Sequence, residues 1–563
     1  MKPENDSAAE NNSYKWIALS NTTLGVFMAA LDSSIVIISL PAIFRGIQLD
    51  PLLPANISFL LWVLMGYLLC TAVLVVTFGR LGDMFGRTKM YNAGFAIFTL
   101  ASVALALTPG LGSHAALYII IMRIVQGVGG SLLLANATAI LTDAFPSHQR
   151  GLAMGINTIA VIAGSFIGLI VGGVLADINW RLIFWVNVPI GIFGTVWAYW
   201  KLKDTGRRAV AKLDWWGNIT FGLGLILILV GITYGIQPYK NQTMSWLSPT
   251  VLFDLISGVI LLAAFFFIEQ RVESPMFDLK LFNIRPFTAG NIANLLSSVG
   301  RGGLQFMLII WLQGIWLPLH GYSFESTPLW AGIYMLPLTF GFLLMGPLSG
   351  YLSDKYGART FATVGMLLAA LSFGLLMLLQ ANFTYWVFAL LLLLNGIGSG
   401  LFAAPNTTAI MNSVPAQERG SASGMRATTM NAGMVLSIGL FFSLMILGLS
   451  TTLPKAMQNS LVAQKVPVSV AHQVASSPPV ASLFAAFLGY NPMAKLIPAG
   501  VLSSLPASNA AYITGKTFFP QLISVPFMHG LRIAFTLSLI CYLIAALASW
   551  LRGKKYIHQE ENT

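Results

Sequence analysis

Fourteen stretches of this chain are each long and apolar enough to cross a lipid bilayer, and no other feature restricts its fold so much. A spanning helix takes about 20 apolar residues. The runs lie at roughly 16–40, 57–78, 90–108, 115–143, 151–175, 182–201, 215–236, 250–268, 287–316, 328–350, 361–380, 385–412, 421–449 and 529–551. Only 9% of the 563 residues are charged and the mean hydropathy is +0.76, where a soluble protein carries about 25% charge. The fold class is therefore all-α and membrane-embedded.

The few charges orient the chain. With the N-terminus inside, Lys2, Lys15, Arg80, Arg87, Lys89, Arg150, Lys201 and Lys203 fall on the inner side, as do Arg271, Lys280, Arg285, Lys355, Arg359, Arg419 and Arg552. The short outer loops hold only Arg45, Arg181 and Lys240. This positive-inside pattern predicts a multi-pass protein of the cytoplasmic membrane with both termini in the cytoplasm. The net charge of +12 thus sets orientation and does not point to nucleic acid as a partner. The polar opening MKPENDSAAENNSYK leads into an apolar run that contains Asp32 and no cleavage site, which reads as a retained first helix. Cys70 and Cys541 both fall inside predicted helices and offer neither a disulfide nor a metal framework, so no metal is expected.

The chain repeats itself. RIVQGVGGSLLLANATAILTDAFPSHQRGLAMG, from Arg123, returns as LNGIGSGLFAAPNTTAIMNSVPAQERGSASG, from Leu394. Gly127 aligns with Gly396, Asn136 with Asn406 and Pro146 with Pro415, at offsets of 269 or 270. A charged cluster repeats at an offset of 271: GRLGDMFGRTK at 79–89 and GYLSDKYGART at 350–360. Such self-similarity marks a duplicated unit, and paired six-helix halves are a common plan for secondary transporters. The runs 215–236 and 250–268 have no counterpart in the repeat. The expected organisation is two pseudo-symmetric six-helix halves with two inserted helices: an N-terminal half at 1–201, a linker at 202–286, a C-terminal half at 287–551 and a cytoplasmic tail at 552–563. Within the second half, 450–528 reads as an external segment rich in Pro, Ser and Ala, with four lysines and no acid. Its apolar pieces are short, which suits interfacial helices or a small cap.

GRLGDMFGRTK resembles the signature of the major facilitator superfamily between its second and third helices. LDSSIVIISLPAI (31–43), RIVQGVGG, NWRLIFWVNVPIG (179–191) and ESPMFDLKLF (273–282) resemble the fourteen-helix drug:proton antiporter branch of that superfamily. The resemblance covers nearly the whole chain apart from 450–528. It implies that the charged cluster is a conformational latch holding the two halves outward-open. Gly79, Gly82 and Gly86 allow a tight turn, Asp83 and Arg87 carry the charge, and Asp143 lies within reach. The second copy keeps Gly350, Asp354, Gly357 and Arg359, but has Ala358 where Arg87 aligns and Asn412 where Asp143 does, so it reads as a degenerate latch. The family's fifth-helix antiporter motif carries a Gly-Pro pair, and here Leu169 stands where the proline is expected. Gly164, Gly168, Gly172 and Gly173 remain and predict close helix packing.

Deeper charges say more, because an ionised group at a helix centre costs about 2.5–3.5 kcal/mol on insertion scales. Asp32 in the first helix and Arg123 in the fourth both sit roughly 12 Å below the outer surface at 1.5 Å per residue. Burial raises a carboxyl pKa and a nearby Arg lowers it, so an Asp32–Arg123 pair whose surroundings alternate suits proton coupling; a static structural pair is the alternative. The repeat carries Asp32 onto Arg301 within one residue, which predicts an acid and a base facing a shared central cavity. Arg426, near the inner end of the thirteenth helix, adds a second base. Arg301 and Arg426 are the cavity candidates, either recognising anionic or zwitterionic cargo or answering Asp32. Asn136 and Asn406 read as interhelical hydrogen-bonding residues.

No HExxH, GxSxG or CxxC occurs, and GKT at 515–517 lacks the earlier glycine of a P-loop, because position 510 is Ala. Neither an enzyme nor a cofactor is expected; the proton gradient is the energy source. The expected function is proton-coupled efflux of small amphipathic compounds or drugs by alternating access, with small-molecule cargo, protons and membrane lipids as partners and a monomer as the unit. A proton entering down 100 mV releases about 2.3 kcal/mol, enough for more than a tenfold gradient. The alternatives are a proton symporter importing a specific solute and a transport-dead membrane sensor.

Overall fold

The computed structural model describes residues 4–50, 53–146, 149–204, 214–240, 242, 244–273, 275–415, 418–489 and 491–553. Among these, no strand forms and fourteen helices are long and apolar enough to span a membrane. They are α1 (Ser13–Gly46), α2 (Ser58–Phe85), α3 (Arg87–Ala106), α4 (Gly112–Ala144), α5 (Ala153–Ile178), α6 (Leu182–Lys201), α7 (Trp215–Gly235), α8 (Pro249–Glu269), α9 (Arg285–Leu319), α10 (Thr327–Ser353), α11 (Ala358–Leu376), α12 (Tyr385–Asn412), α13 (Ser421–Ala463) and α14 (Phe518–Leu551). Helices dominate because each satisfies its own backbone hydrogen bonds, as a chain surrounded by lipid requires.

In the first half α1 packs on α5, and α2 and α3 pack on α4; in the second, α9 packs on α13, and α10 and α11 on α12. The halves meet along two seams, α2 against α13 and α5 against α10. The inserted pair sits outside this frame. α7 rests on both α2 and α13, with Gly222 against Val73 and Gly439 against Ile232, while α8 packs chiefly on α7 through a Gly224–Gly258 crossing. Asp214 caps the start of α7 by accepting from the Gly217 N–H at 2.8 Å. After α8, Glu269 accepts from the Phe277 N–H at 3.1 Å and Asp278 from the Lys280 N–H at 3.0 Å. These bonds give the ESPMFDLKLF stretch its turn; the connector at 205–213 lies outside the described residues.

Two expectations about helix ends need correction. α13 continues as helix to Ala463 and α14 begins at Phe518, so 450–463 and 518–528 belong to the long helices and only 464–517 lies between them. Apolarity marks only the part of a helix inside lipid, and the polar TTLPKAMQNS extends α13 beyond it. The segment holds five short helices, Val468–Ala475, Pro479–Phe487, Met493–Leu496, Ala499–Ser504 and Ala507–Thr514. In the second of these all nine residues are buried, so it is packed into the protein rather than laid over it. α9 is also not one regular helix. It has a joint at Gly303 and a π-helical turn at Leu312–Trp316, just before Pro318 removes a backbone donor.

Candidate functional site

The deepest charge pair lies inside the N-terminal half. A methyl group on Gly164 would sit 2.6 Å from the Phe27 carbonyl oxygen, one on Gly168 2.7 Å from that of Leu31, and one on Gly172 2.9 Å from Ile35 Cα. Only glycine at these three positions, one turn apart, lets α5 lie this close to α1. Gly173 faces the other way and receives Leu329 of α10 across the seam between halves. Leu169 is buried beside it, with its carbonyl oxygen against Gly332, and α5 runs unbroken through the position where the antiporter motif carries proline.

With α1 held in this way, Asp32 points into the N-terminal half. It is fully buried, and Arg123 is 2% exposed, with Nη1 2.5 Å from Asp32 Oδ2. Asp32 Oδ1 accepts from Gln126 Nε2 at 2.9 Å and from Asn187 Nδ2 of α6 at 2.7 Å. Arg123 Nη1 also donates to Gln126 Oε1 at 2.5 Å, its Nε to the Val63 carbonyl at 3.4 Å, and its guanidinium lies over the Tyr67 ring at 4.5 Å. Gln126 reaches Ser102 Oγ at 3.0 Å. Donors from two helices, α4 and α6, thus meet one carboxylate, with α2 and α3 holding Arg123 and Gln126 from behind, and such charge-assisted bonds are the strong ones.

The pairing of Asp32 with Arg123 follows the depth argument, but the orientation does not. The half-buried stripe of α1 is Thr23, Phe27, Ala30, Ser33 and Ile37. At 100° per residue Asp32 lies on the far side of the helix from that stripe. In this conformation it does not face a cavity shared with the other half, because α4 and α6 supply the donors and draw it inward. Gln126 and Asn187 were not singled out in the sequence. Both sit within recognisable motifs, and an amide inside a long apolar run was the available signal.

Toward the face where most basic residues lie, α2 turns into α3 at Gly86, whose φ of +107° suits glycine. Arg87 binds Asp83 at 2.8 Å and Asp143 at 2.6 Å, and donates to the Ala139 carbonyl at 3.4 Å. A side chain on Gly82 would displace the Asn136 amide and one on Gly86 the Asp204 carboxylate; Gly79 is more open, with Ala135 Cβ at 3.9 Å. These ion pairs tie α2, α3 and α4 together within one half, so the cluster is not itself a bridge between halves. Its links outward are Arg80, which donates to the Pro275 carbonyl at 2.5 Å, and α2 itself, where Val76 lies 3.5 Å from a methyl placed on Gly424 of α13.

The second copy repeats the turn with Ala358 in the place of Arg87 and Asn412 in that of Asp143. Gly357 has φ +87°, and Gly350 packs near Ala404. Arg359 lies over the Trp550 ring at 3.8 Å, and the Asp354 side chain lies outside the described residues. Arg301 lies over the Phe342 ring at 5.7 Å. Arg426 has a buried Nε without a hydrogen-bond partner. The structure does not bring Arg301 and Arg426 together as one site. Asn136 donates to the Phe78 carbonyl at 3.4 Å and Asn406 to that of Gly290 at 3.1 Å, so both bond to a neighbouring helix.

At the opposite face the halves are closed. Gln313 of the π turn donates to the Ile38 carbonyl at 3.3 Å, Arg45 to that of Leu488 at 3.0 Å, and Lys495 pairs with Asp50 at 3.1 Å. Gly314 receives Ala486, whose carbonyl oxygen would lie 2.6 Å from an added methyl, and Phe484 stacks on Phe442 at 5.4 Å. Glu325, in the α9–α10 connection, is held below the usual carboxylate range by backbone hydrogen bonding, with Ser323, Lys516 and Arg45 adding to the effect. The segment 464–517 therefore helps to close this face.

Comparison with known proteins agrees with this architecture. The family model described as Major Facilitator Superfamily matches residues 22–438. The riboflavin transporter RibZ of Clostridioides difficile is 30% identical over 430 residues, covering 76% of this chain and 88% of the relative. The tetracenomycin C resistance and export protein of Streptomyces glaucescens is 30% identical over 533 residues, covering 94% and 90%. Among solved structures, a bacterial homologue of the human lysosomal transporter Spinster, inward-facing and unoccupied, superposes with a TM-score of 0.55 at 16% identity, covering 96% of this chain and 97% of that one. Duplicated halves, the glycine-framed turns and the extent of the family match together place this chain in the major facilitator superfamily of membrane transporters.

Proposed function

We propose that this protein exports small amphipathic compounds across the cytoplasmic membrane by alternating access, driven by protons that enter through Asp32. The observation that carries the reading is the enclosed Asp32–Arg123–Gln126–Asn187 network. Three donors, one of them the cation Arg123, meet this one carboxylate. A proton on Asp32 removes the charge that Arg123 faces and breaks the pair that joins α1 to α4. One protonation event then favours a different arrangement of those helices, which is the coupling that an antiporter requires. The closed face described above is the outer one in this reading, because the opposite face carries most Lys and Arg. The relatives named for drug resistance and export, tetracenomycin C among them, support export.

Import by proton symport is the second reading. One relative is named as a riboflavin transporter, and α5 lacks the proline of the antiporter motif at Leu169. Inverted membrane vesicles separate the two. Export gives accumulation of ethidium or a flavin inside vesicles that are acidified inside, whereas symport gives none. In proteoliposomes, Asp32→Asn is expected to abolish pH-driven accumulation while leaving exchange down the compound's own gradient. Full pH-driven accumulation by Asp32→Asn would remove Asp32 from the coupling step.

A further inference from the structure

The duplication places a second polar constellation inside the C-terminal half, at the positions that enclose Asp32 in the first. An offset of 269 or 270 carries Asp32 to Arg301, Gln126 to Asn395 and Ser102 to Ser372. The C-terminal copy has inverted its charge and kept its amide. Asn395 is fully buried, and neither its oxygen nor its nitrogen has a hydrogen-bond partner; the same holds for the hydroxyl of Ser538 on α14, while Ser399, one turn further along α12, has only the Tyr542 hydroxyl beside it. Tyr542, one turn after Ser538, lies beside Ser399 and close to Arg301, and packs on Gly300. Arg301 itself has an aromatic ring, Phe342, and no carboxylate among the described residues. Buried polar atoms in native proteins have partners, and orphans on the two helices packed against the one that carries an unpaired cation point to an absent partner.

We propose that Arg301, Asn395, Ser399 and Tyr542 form an anion-binding site, the charge-inverted counterpart of the Asp32 site. The guanidinium, amide N–H, serine hydroxyl and phenol are all donors, and a single compact anion accepts from each. A small inorganic anion such as chloride and the carboxylate of a cargo molecule share that chemistry. The cargo source rests on the transport reading above; the inorganic source does not. Arg301 is half-buried, so the site is not sealed as Asp32 is. Arg426, nearer the basic end of α13, adds a second cation in the same half.

Equilibrium binding to the purified full-length protein in detergent tests this, with sodium HEPES as background and chloride or carboxyfluorescein as the probe. Tryptophan fluorescence and thermal unfolding report on occupancy. The parent is expected to bind one of the two saturably, with at least a tenfold loss in Arg301→Gln and retention within about threefold in Arg301→Lys. Ser399→Ala, which removes one donor and leaves the charge, is expected to weaken binding several-fold in a folded protein. Saturation by chloride alone assigns the site to an inorganic ion, and saturation by carboxyfluorescein assigns it to cargo. Equal binding by the parent and Arg301→Gln, or no saturable binding of either probe by the parent, overturns the site. Binding without any transport would sink the transport reading and leave this one standing.

Discussion

In the N-terminal half a methyl on Gly94 would meet the Gly129 carbonyl oxygen, Leu132 Cβ and Leu133 N, each at 2.9 Å. In the C-terminal half one on Gly365 would meet the Gly398 oxygen at 2.5 Å and Leu401 Cβ and Phe402 N at 2.9 Å. Gly164 against the Phe27 carbonyl has its counterpart in Gly433 against that of Leu295. Helix contacts have been kept position by position. The charges have not: the first half pairs its buried acid and base, and the second holds Arg301 and Arg426 without an acid on the spanning helices beside them. Packing is constrained by volume, which every working copy must satisfy. Charge is constrained by task, and in the proposed antiport only one half needs to hold the titrating group.

The largest effect that separates the halves concerns these charges. Asp32→Asn leaves Arg123 buried without a counter-charge, and breaking a buried pair costs about 3–5 kcal/mol. Arg301→Gln removes a cation that has no ion-pair partner and is expected to cost about 1 kcal/mol at most. Thermal unfolding of the two purified variants checks the asymmetry, and adding Arg123→Gln to Asp32→Asn should recover part of the loss. Equal destabilisation by Asp32→Asn and Arg301→Gln would mean that Arg301 has a counter-charge after all.

A smaller effect is expected at the paired asparagines. Asn406 Oδ1 accepts from Arg552, which is 4% exposed and which burial pushes down to about 10, still cationic at neutral pH. Asn136 Oδ1 has no partner and lies against Gly82. Asn406→Ala strands a buried cation, and leaving a charged group unsatisfied costs more than the about 1–3 kcal/mol of a neutral one. Asn136→Ala loses only amide bonds to the Leu132 and Phe78 carbonyls and is expected to cost about 1 kcal/mol. Urea or thermal melts of the two variants give the order, and a costlier Asn136→Ala would reverse it.

Much of this was legible in the chain because lipid makes sequence rules strict. Length and apolarity alone mark fourteen spans, and a 1.5 Å rise puts Asp32 and Arg123 at one depth. Depth does not fix rotation. Asp32 therefore read as a cavity residue, when contact with α4 and α6 turns it inward, and the amide of Asn187 in its apolar run could mark a polar site without naming Asp32 as its partner, because α6 meets Asp32 only in three dimensions. The extent of α13 was misread for a related reason: hydropathy reports where a helix leaves lipid, not where it stops being a helix. The π turn in α9, which brings Gln313 to the Ile38 carbonyl, depends on contact with the 464–517 segment and has no local signature beyond Gly314 and Pro318.

The smallest expected effect on stability, with a clear one on rate, lies at the two glycine-framed turns. Arg87, Asp83 and Asp143 are 26%, 35% and 22% exposed, and pairs this open are worth under about 1 kcal/mol. Asp143→Asn keeps the Arg87–Asp83 pair, so melts should scarcely move. If the cluster is a latch, losing its link from α3 to α4 slows turnover, and a drop of about tenfold corresponds to 1.4 kcal/mol on the barrier. Asn412→Asp places an acid at the matching position of the second half. Ala358 stands where Arg87 would meet it, and Arg359 is held over Trp550, so turnover should stay at the parent's level. Both rates come from one proteoliposome assay at matched protein density. A change in Asn412→Asp as large as that in Asp143→Asn would show that the second turn also latches, and the asymmetry between the halves would be confined to their buried charges.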